Sequence, residues 1–142
     1  MPSSAEHRSW AVDTSVAVAF LDQGHSAHLT CVAALSGRVA ALAGHAAFES
    51  YSVLTRLPEP GRVSPADARR ALEAAFPEDC WLSATAQREL AKRLADAGIA
   101  GGAVFDALVG EAARAAGRTL LTRDRRALAT YDRLGVSYQI VE

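Results

Sequence analysis

The chain has no apolar run of the roughly 18 residues that a membrane-spanning helix requires. Met1 to Ser9 is polar and holds no signal-peptide core, so a cytoplasmic location without membrane attachment is expected. Cysteine is scarce: Cys31 and Cys80 are the only two, and no Cys-x-x-Cys pair exists to seed a zinc site. Both are expected to be reduced, buried thiols. The histidines His7, His25, His28 and His45 show no paired-ligand spacing and read as capping or surface residues. Lysine is nearly absent, Lys92 being the only one among 15 basic residues. Arginine suits bidentate phosphate contacts, but a net charge of −1 does not by itself advertise nucleic-acid binding. Repeats, low-complexity segments and long linkers are missing too.

What is present fits one domain: 142 residues, half of them hydrophobic, with alanine dominating the apolar set and favouring helix. Short apolar runs at Arg8–Val12, Val39–Leu42, Cys80–Leu82, Thr119–Thr122 and Ser137–Val141 read as strands. Helical patterns fill the gaps: Thr14–Leu21, His25–Leu35, His45–Leu57, Ser64–Phe76, Thr85–Ala97, Ala103–Ala116 and Arg125–Leu134. Ser64-Pro65-Ala66-Asp67 is a strong helix start, with Ser64 as N-cap and Pro65 in the first turn. Strands alternating with helices imply an α/β, three-layer architecture, a short parallel sheet flanked by helices on both faces. Ligands of such sheets gather beyond the carboxyl ends of the strands. Residues 1–8 read as a flexible extension of the single domain.

Four acids stand beside apolar residues: Asp13 in Trp-Ala-Val-Asp-Thr-Ser, Glu49 in Ala-Ala-Phe-Glu-Ser-Tyr, Asp106 in Ala-Val-Phe-Asp-Ala-Leu, and Asp124 in Leu-Leu-Thr-Arg-Asp. A carboxylate in an apolar setting is costly unless it finds a partner. Four at one sheet edge would repel one another, and a hard divalent cation held by oxygen ligands relieves that repulsion. Such a site points to metal-assisted attack on a phosphodiester. Without these four charges the rest of the chain would carry +3. Blander readings stand beside this one. Asp13 and Asp124 each precede a helical stretch and suit an N-cap. Glu49 and Asp106 would be unremarked on exposed helix faces.

The ordered set of motifs resembles the PIN-domain ribonucleases, and more narrowly the VapC-type toxins of bacterial toxin–antitoxin pairs. The matching pieces are Val12-Asp13-Thr14-Ser15, then Glu49 with Val53-Leu54-Thr55-Arg56. Asp106-Ala107-Leu108 follows, leading to Ala112-Ala113 and Gly117, and then Leu120-Leu121-Thr122-Arg123-Asp124 before Ala127-Leu128. The likeness runs from about Trp10 to Val141. It departs at Ser50-Tyr51-Ser52, which is not the commonest filling after Glu49. Gly110 is also odd inside a helix, where it should cost about 1 kcal/mol relative to alanine unless it permits close packing, here expected against a strand.

The resemblance implies a Mg2+- or Mn2+-dependent endoribonuclease with an acidic quartet of Asp13, Glu49, Asp106 and Asp124. Asp13 and Asp106 would be direct ligands, with Ser15 and Thr122 supporting them. Arg56 and Arg123 are candidate RNA contacts; ion pairing with the same acids or plain solvent exposure is the alternative. A cognate antitoxin is implied as partner, docking on the Glu49 helix and the Ser64–Phe76 helix, together with a homodimer and a transfer- or ribosomal-RNA substrate. Two other readings remain: a PIN-like RNA- or protein-binding module that has lost catalysis, and a response-regulator receiver. The receiver is disfavoured because threonine, not a second acid, follows Asp13, and Lys92 is badly placed.

Overall fold

The computed structural model describes residues 9–142; the expected extension at residues 1–8 and the start of the first predicted strand lie outside them. Strand β1 (Trp10–Val12) sits at the centre of a five-stranded sheet. It pairs on one side with β2 (Ala40–Ala43) and on the other with β4 (Thr119–Thr122); β3 (Asp79–Cys80) and β5 (Tyr138–Ile140) form the edges. All four pairings are parallel. The order β3-β2-β1-β4-β5 reverses direction between β1 and β4. That is the point where doubly covered sheets open a crevice beyond their carboxyl ends.

The three central strands β1, β2 and β4 are largely buried on both faces, which is why their residues are mostly apolar without alternation. Ala11 and Leu120 belong to one core cluster, with Val109, Ala113, Tyr131 and Leu134. Their neighbours Val12 and Leu121 belong to the other, with Val16, Cys31, Leu54, Leu72 and Phe76. The first layer comprises α5 (Ala84–Asp96), α6 (Ala103–Ala115) and α7 (Leu128–Leu134). The second comprises α1 (Thr14–Leu21), α2 (His28–Leu35), α3 (Ala46–Thr55) and α4 (Pro65–Ala75). The small strand residues Ala11, Ala40, Ala41 and Ala43 are all buried, letting helices approach closely. Cys31 and Cys80 are buried and free, and burial raises both thiol pKa values above the ordinary range.

Ser64 caps α4 as its motif predicts, accepting the Asp67 amide, and Pro65 opens the helix. Other boundaries shift for local reasons. Helix α2 begins at His28 rather than His25, because His25 closes a turn in which its Nδ1 accepts the Ala27 amide at 3.0 Å. The predicted Arg125–Leu134 helix opens with a 3-10 turn over Arg125–Ala127. Gly110 does not face a strand. A Cβ there would lie 2.8 Å from Cδ1 of Tyr131 and 3.0 Å from Cγ2 of Val136, so the glycine admits the α7 tyrosine against α6.

Candidate active site

Asp13 follows β1 directly, and Asp124 lies two residues past β4, its central neighbour. Glu49 lies in the first turn of α3, after β2, and Asp106 in the first turn of α6. The topology therefore carries all four acids to the carboxyl end of the sheet. Their charges reach one another there: those of Asp124, Glu49 and Asp13 all act on Asp106.

The four differ sharply in surroundings. Asp13 is only 4% exposed, yet both its oxygens are fully engaged. Oδ1 accepts from Ser15 Oγ at 2.6 Å and from the Val16 amide at 3.2 Å. Oδ2 accepts from the Thr122 hydroxyl and, at 3.2 Å, from the Tyr131 hydroxyl. Burial raises the Asp13 pKa, and these donors pull it back. The capping reading of Asp13 is thus correct as far as it goes, since the Val16 amide lies in the first turn of α1.

Hydroxyls suit this position because each can accept and donate. Ser15 Oγ takes the Arg123 amide at 2.8 Å while donating to Asp13. Thr122 Oγ1 takes the Asp124 amide at 3.1 Å while donating to the other Asp13 oxygen. The backbone beyond β4 is thereby tied to the carboxylate beyond β1. Tyr131 completes the shell. Burial and the neighbouring Asp13 and Asp106 charges push its phenol well above the ordinary range, so it remains a proton donor.

Glu49 accepts from Thr14 Oγ1 at 3.3 Å and stands 3.6 Å from His45 Nε2. Asp124 caps the 3-10 turn through the Arg126 amide at 3.1 Å and also meets the Arg126 guanidinium at 3.3 Å. Asp106 is different: among the described residues its carboxylate takes no hydrogen bond and no ion pair. Burial, then the charges of Asp124 and Glu49, raise its pKa from 3.8 to about 6, with Arg126 opposing. The acid buried elsewhere in α6 shows the usual remedy. Glu111 is held by the guanidiniums of Arg93 and Arg114.

Asp106 and Glu49 line a cavity of about 610 Å3 with His45, Phe105 and Arg126. Among the described residues, no three Asp, Glu, His or Cys side chains come close enough to hold a metal ion together. The acids nevertheless offer the carboxylate oxygens that suit a hard cation, and Asp106 is half-buried with no ion pair among the described residues.

Of the two arginines singled out in the sequence, neither lines this cavity. Arg123 turns away from the acids and donates to the Val141 carbonyl at 2.9 Å. Arg56 is exposed at the far end of α3, on a separate groove that Glu49 also borders. Arg126, which the sequence reading passed over, is the arginine at the rim. Tyr131 was missed as well; the visible trace of it was the misplaced-looking Gly110.

Comparison with known proteins adds a second line of evidence. Residues 11–134 match the model of the PIN domain. Ribonuclease VapC27 of Mycobacterium tuberculosis is 49% identical over 126 residues, covering 89% of this chain and 92% of that protein. Ribonuclease VapC40 of the same organism is 46% identical over 132 residues, covering 92% and 98%. Among solved structures, VapBC2 from Rickettsia felis, bound to a DNA fragment from its promoter, superposes with a TM-score of 0.66 at 14% identity, covering 94% of this chain and 98% of that one. That likeness concerns the fold.

Proposed function

The chain belongs to the PIN-domain family of VapC-type ribonuclease toxins, and from that premise we propose that it is a divalent-cation-dependent endoribonuclease restrained by a cognate antitoxin. The observation that carries the catalytic part is Asp106: a half-buried carboxylate, within reach of three other acids' charges, that takes no hydrogen bond among the described residues.

Asp106, with Glu49 and Asp124 nearby, would hold Mg2+ or Mn2+, and Asp13 would join them by giving up one of its four protein donors. The chemistry such an ion supplies is activation of water and neutralisation of charge at the scissile phosphate. The protein's share is positional. Ser15, Thr122, Tyr131 and the Val16 amide fix the Asp13 carboxylate in one orientation. The Asp106 carboxylate, with no donor on it among the described residues, is available to a ligand. Arg126, exposed on the rim of the same cavity, has guanidinium donors to offer a phosphate. Histidine-pair acid–base catalysis is not part of this reading, since among the described residues His45 alone of the histidines lines the cavity.

The antitoxin would occupy the groove between α3 and α4, a cavity of about 670 Å3 whose walls include Phe48, Tyr51, Leu72, Phe76 and Trp81. Arg69 and Glu73 border it and would select the partner's polar residues. A homodimer and a transfer- or ribosomal-RNA target complete the proposal. The competing reading, a PIN-like binding module without activity, draws on the lack of a ready-made three-ligand cluster among the described residues.

RNA cleavage by purified protein, with Mg2+ or Mn2+ and then with a chelator, separates the two. Cation-dependent cutting that Asp13→Asn and Asp106→Asn each abolish is the expected result. A protein that binds no divalent cation and cuts no RNA is the inactive module.

A further inference from the structure

We infer that the acidic cavity continues into a base-stacking platform, with Phe105 and His45 as its first step, that holds an unstacked nucleobase of single-stranded RNA beside the scissile phosphate. This rests on the ribonuclease reading above and adds to it a subsite.

The observation is a row of aromatic rings on the outside of the protein. His45 lies against Phe105 with centroids 5.3 Å apart and planes only 18° from parallel. Phe48 follows at 6.1 Å from His45, and Trp81 at 5.5 Å from Phe48, edge-on. Phe105, Phe48 and Trp81 are 51%, 63% and 54% exposed. Large apolar rings are normally withdrawn from water, and a contiguous exposed set marks a binding surface.

Position selects the occupant. Phe105 and His45 line the same cavity as Asp106, Glu49 and Arg126. A phosphate lying between those acids and Arg126 leaves its attached nucleoside within reach of the two rings. Every base has a π-face, so stacking on aromatic side chains tolerates sequence variation. Bases are free to stack this way only where the RNA is unpaired, in a loop, bulge or single strand. Phe105 and His45 lie at the acids themselves, whereas Phe48 and Trp81 also line the groove between α3 and α4 that is assigned to the antitoxin, so the base subsite is placed on Phe105 and His45.

The test uses the full chain carrying Asp13→Asn, so that RNA is bound without being cut. A short, unstructured, mixed-sequence oligoribonucleotide carries 2-aminopurine at successive positions, and quenching reports stacking. Phe105→Ala should abolish the quench at the position next to the cleavage site, and Phe105→Trp should restore it. In the parent sequence, Phe105→Ala should raise KM roughly 5- to 150-fold, the equivalent of about 1–3 kcal/mol per stacked base, with little change in kcat. Equal quenching and equal KM in Phe105→Ala overturn the platform. So does a variant that loses antitoxin binding while handling RNA normally, since the ring would then be a protein contact. A parent protein that cuts nothing but shows Phe105-dependent quenching supports the platform and overturns only the activity.

Discussion

Gly110→Ala isolates the packing that holds the site together. Helix propensity alone says the substitution should help, by about 1 kcal/mol, since Gly110 lies within α6. The structure says otherwise. The new methyl would sit 2.8 Å from Cδ1 and 3.1 Å from Cε1 of Tyr131, and 3.0 Å from Val136. Those are ring carbons, not the mobile tip of a chain. The ring has little room to retreat: Tyr131 is buried, its face meets Tyr138, and its hydroxyl is bound to Asp13. Overpacking of this kind costs about 1–3 kcal/mol. A hydrogen bond to a charged group, if broken, costs about 1.5–3 more. Against the propensity gain, the net loss is up to about 2 kcal/mol with the bond intact and about 1.5–5 kcal/mol with it broken. Urea unfolding of Gly110→Ala against the parent measures it, with Gly102→Ala as control, because nothing lies within 4 Å of a Cβ at that position. In a Tyr131→Leu background the penalty should shrink by about 1 kcal/mol or more, the coupling expected of residues in contact. A Gly110→Ala protein as stable as the parent, or more stable, refutes the reasoning.

Asp106→Asn should stabilise the metal-free protein at neutral pH. The folded-state pKa of Asp106 is raised from 3.8 to about 6, so stability is lost as pH rises through that window and stays lost above it. The full shift is worth about 3 kcal/mol, and about 1–2 after discounting for solvent screening; chelator-treated melts at pH 4 and pH 7.5 should show the variant's advantage only at the higher pH. Adding Mn2+ should reverse the ranking, raising the melting temperature of the parent and not of the variant. Tyr131→Phe keeps the ring and removes one of four donors to Asp13, so it should cost about 1–2 kcal/mol in urea unfolding and slow RNA cleavage. Arg126→Ala should weaken RNA binding and make its salt dependence shallower, whereas Arg123→Ala should leave RNA binding unchanged and loosen the contact with Val141, read out by amide exchange.

The order of strands and helices was legible because burial on both faces leaves a plain signature, short apolar runs separated by capped helices. Ser64-Pro65 and the acids beyond β1 and β4 could be placed for the same local reasons. Side-chain direction could not. Arg123 and Arg126 look interchangeable in the sequence, but Asp124 caps a 3-10 turn that brings Arg126 back over the acids while Arg123 leaves toward Val141. Phe48 and Phe105 precede Glu49 and Asp106 and made both acids look embedded in apolar surroundings. On a helix, adjacent residues point about 100° apart, and both rings face solvent. Tyr131 stands between Thr130 and Asp132 in α7 with nothing in the sequence to mark it, and only the packed structure shows where its hydroxyl goes.

The two buried or half-buried acids of α6 show why an ion, and not a side chain, is the expected partner at the site. Glu111 and Asp106 lie five residues apart on one helix, and arginine is the basic residue this chain uses almost throughout. At Glu111 two guanidiniums close on the carboxylate, and nothing is left for a ligand to do. At Asp106 the nearby guanidinium among the described residues, that of Arg126, bonds to Asp124 instead. A fold selected only for stability would treat both alike, because an unneutralised carboxylate in partial burial costs free energy and an arginine removes that cost. Leaving Asp106 open makes sense if its charge is neutralised by something that comes and goes, and an oxygen-seeking divalent cation fits a group with carboxylate neighbours and no donors. Arginine placed at Asp106's side by substitution of a neighbour, such as Ala103→Arg, should therefore raise the stability of the metal-free protein while abolishing both Mn2+ binding and RNA cleavage. A variant stabilised in that way that still cut RNA at the parent's rate would mean that the open carboxylate is not where the chemistry happens.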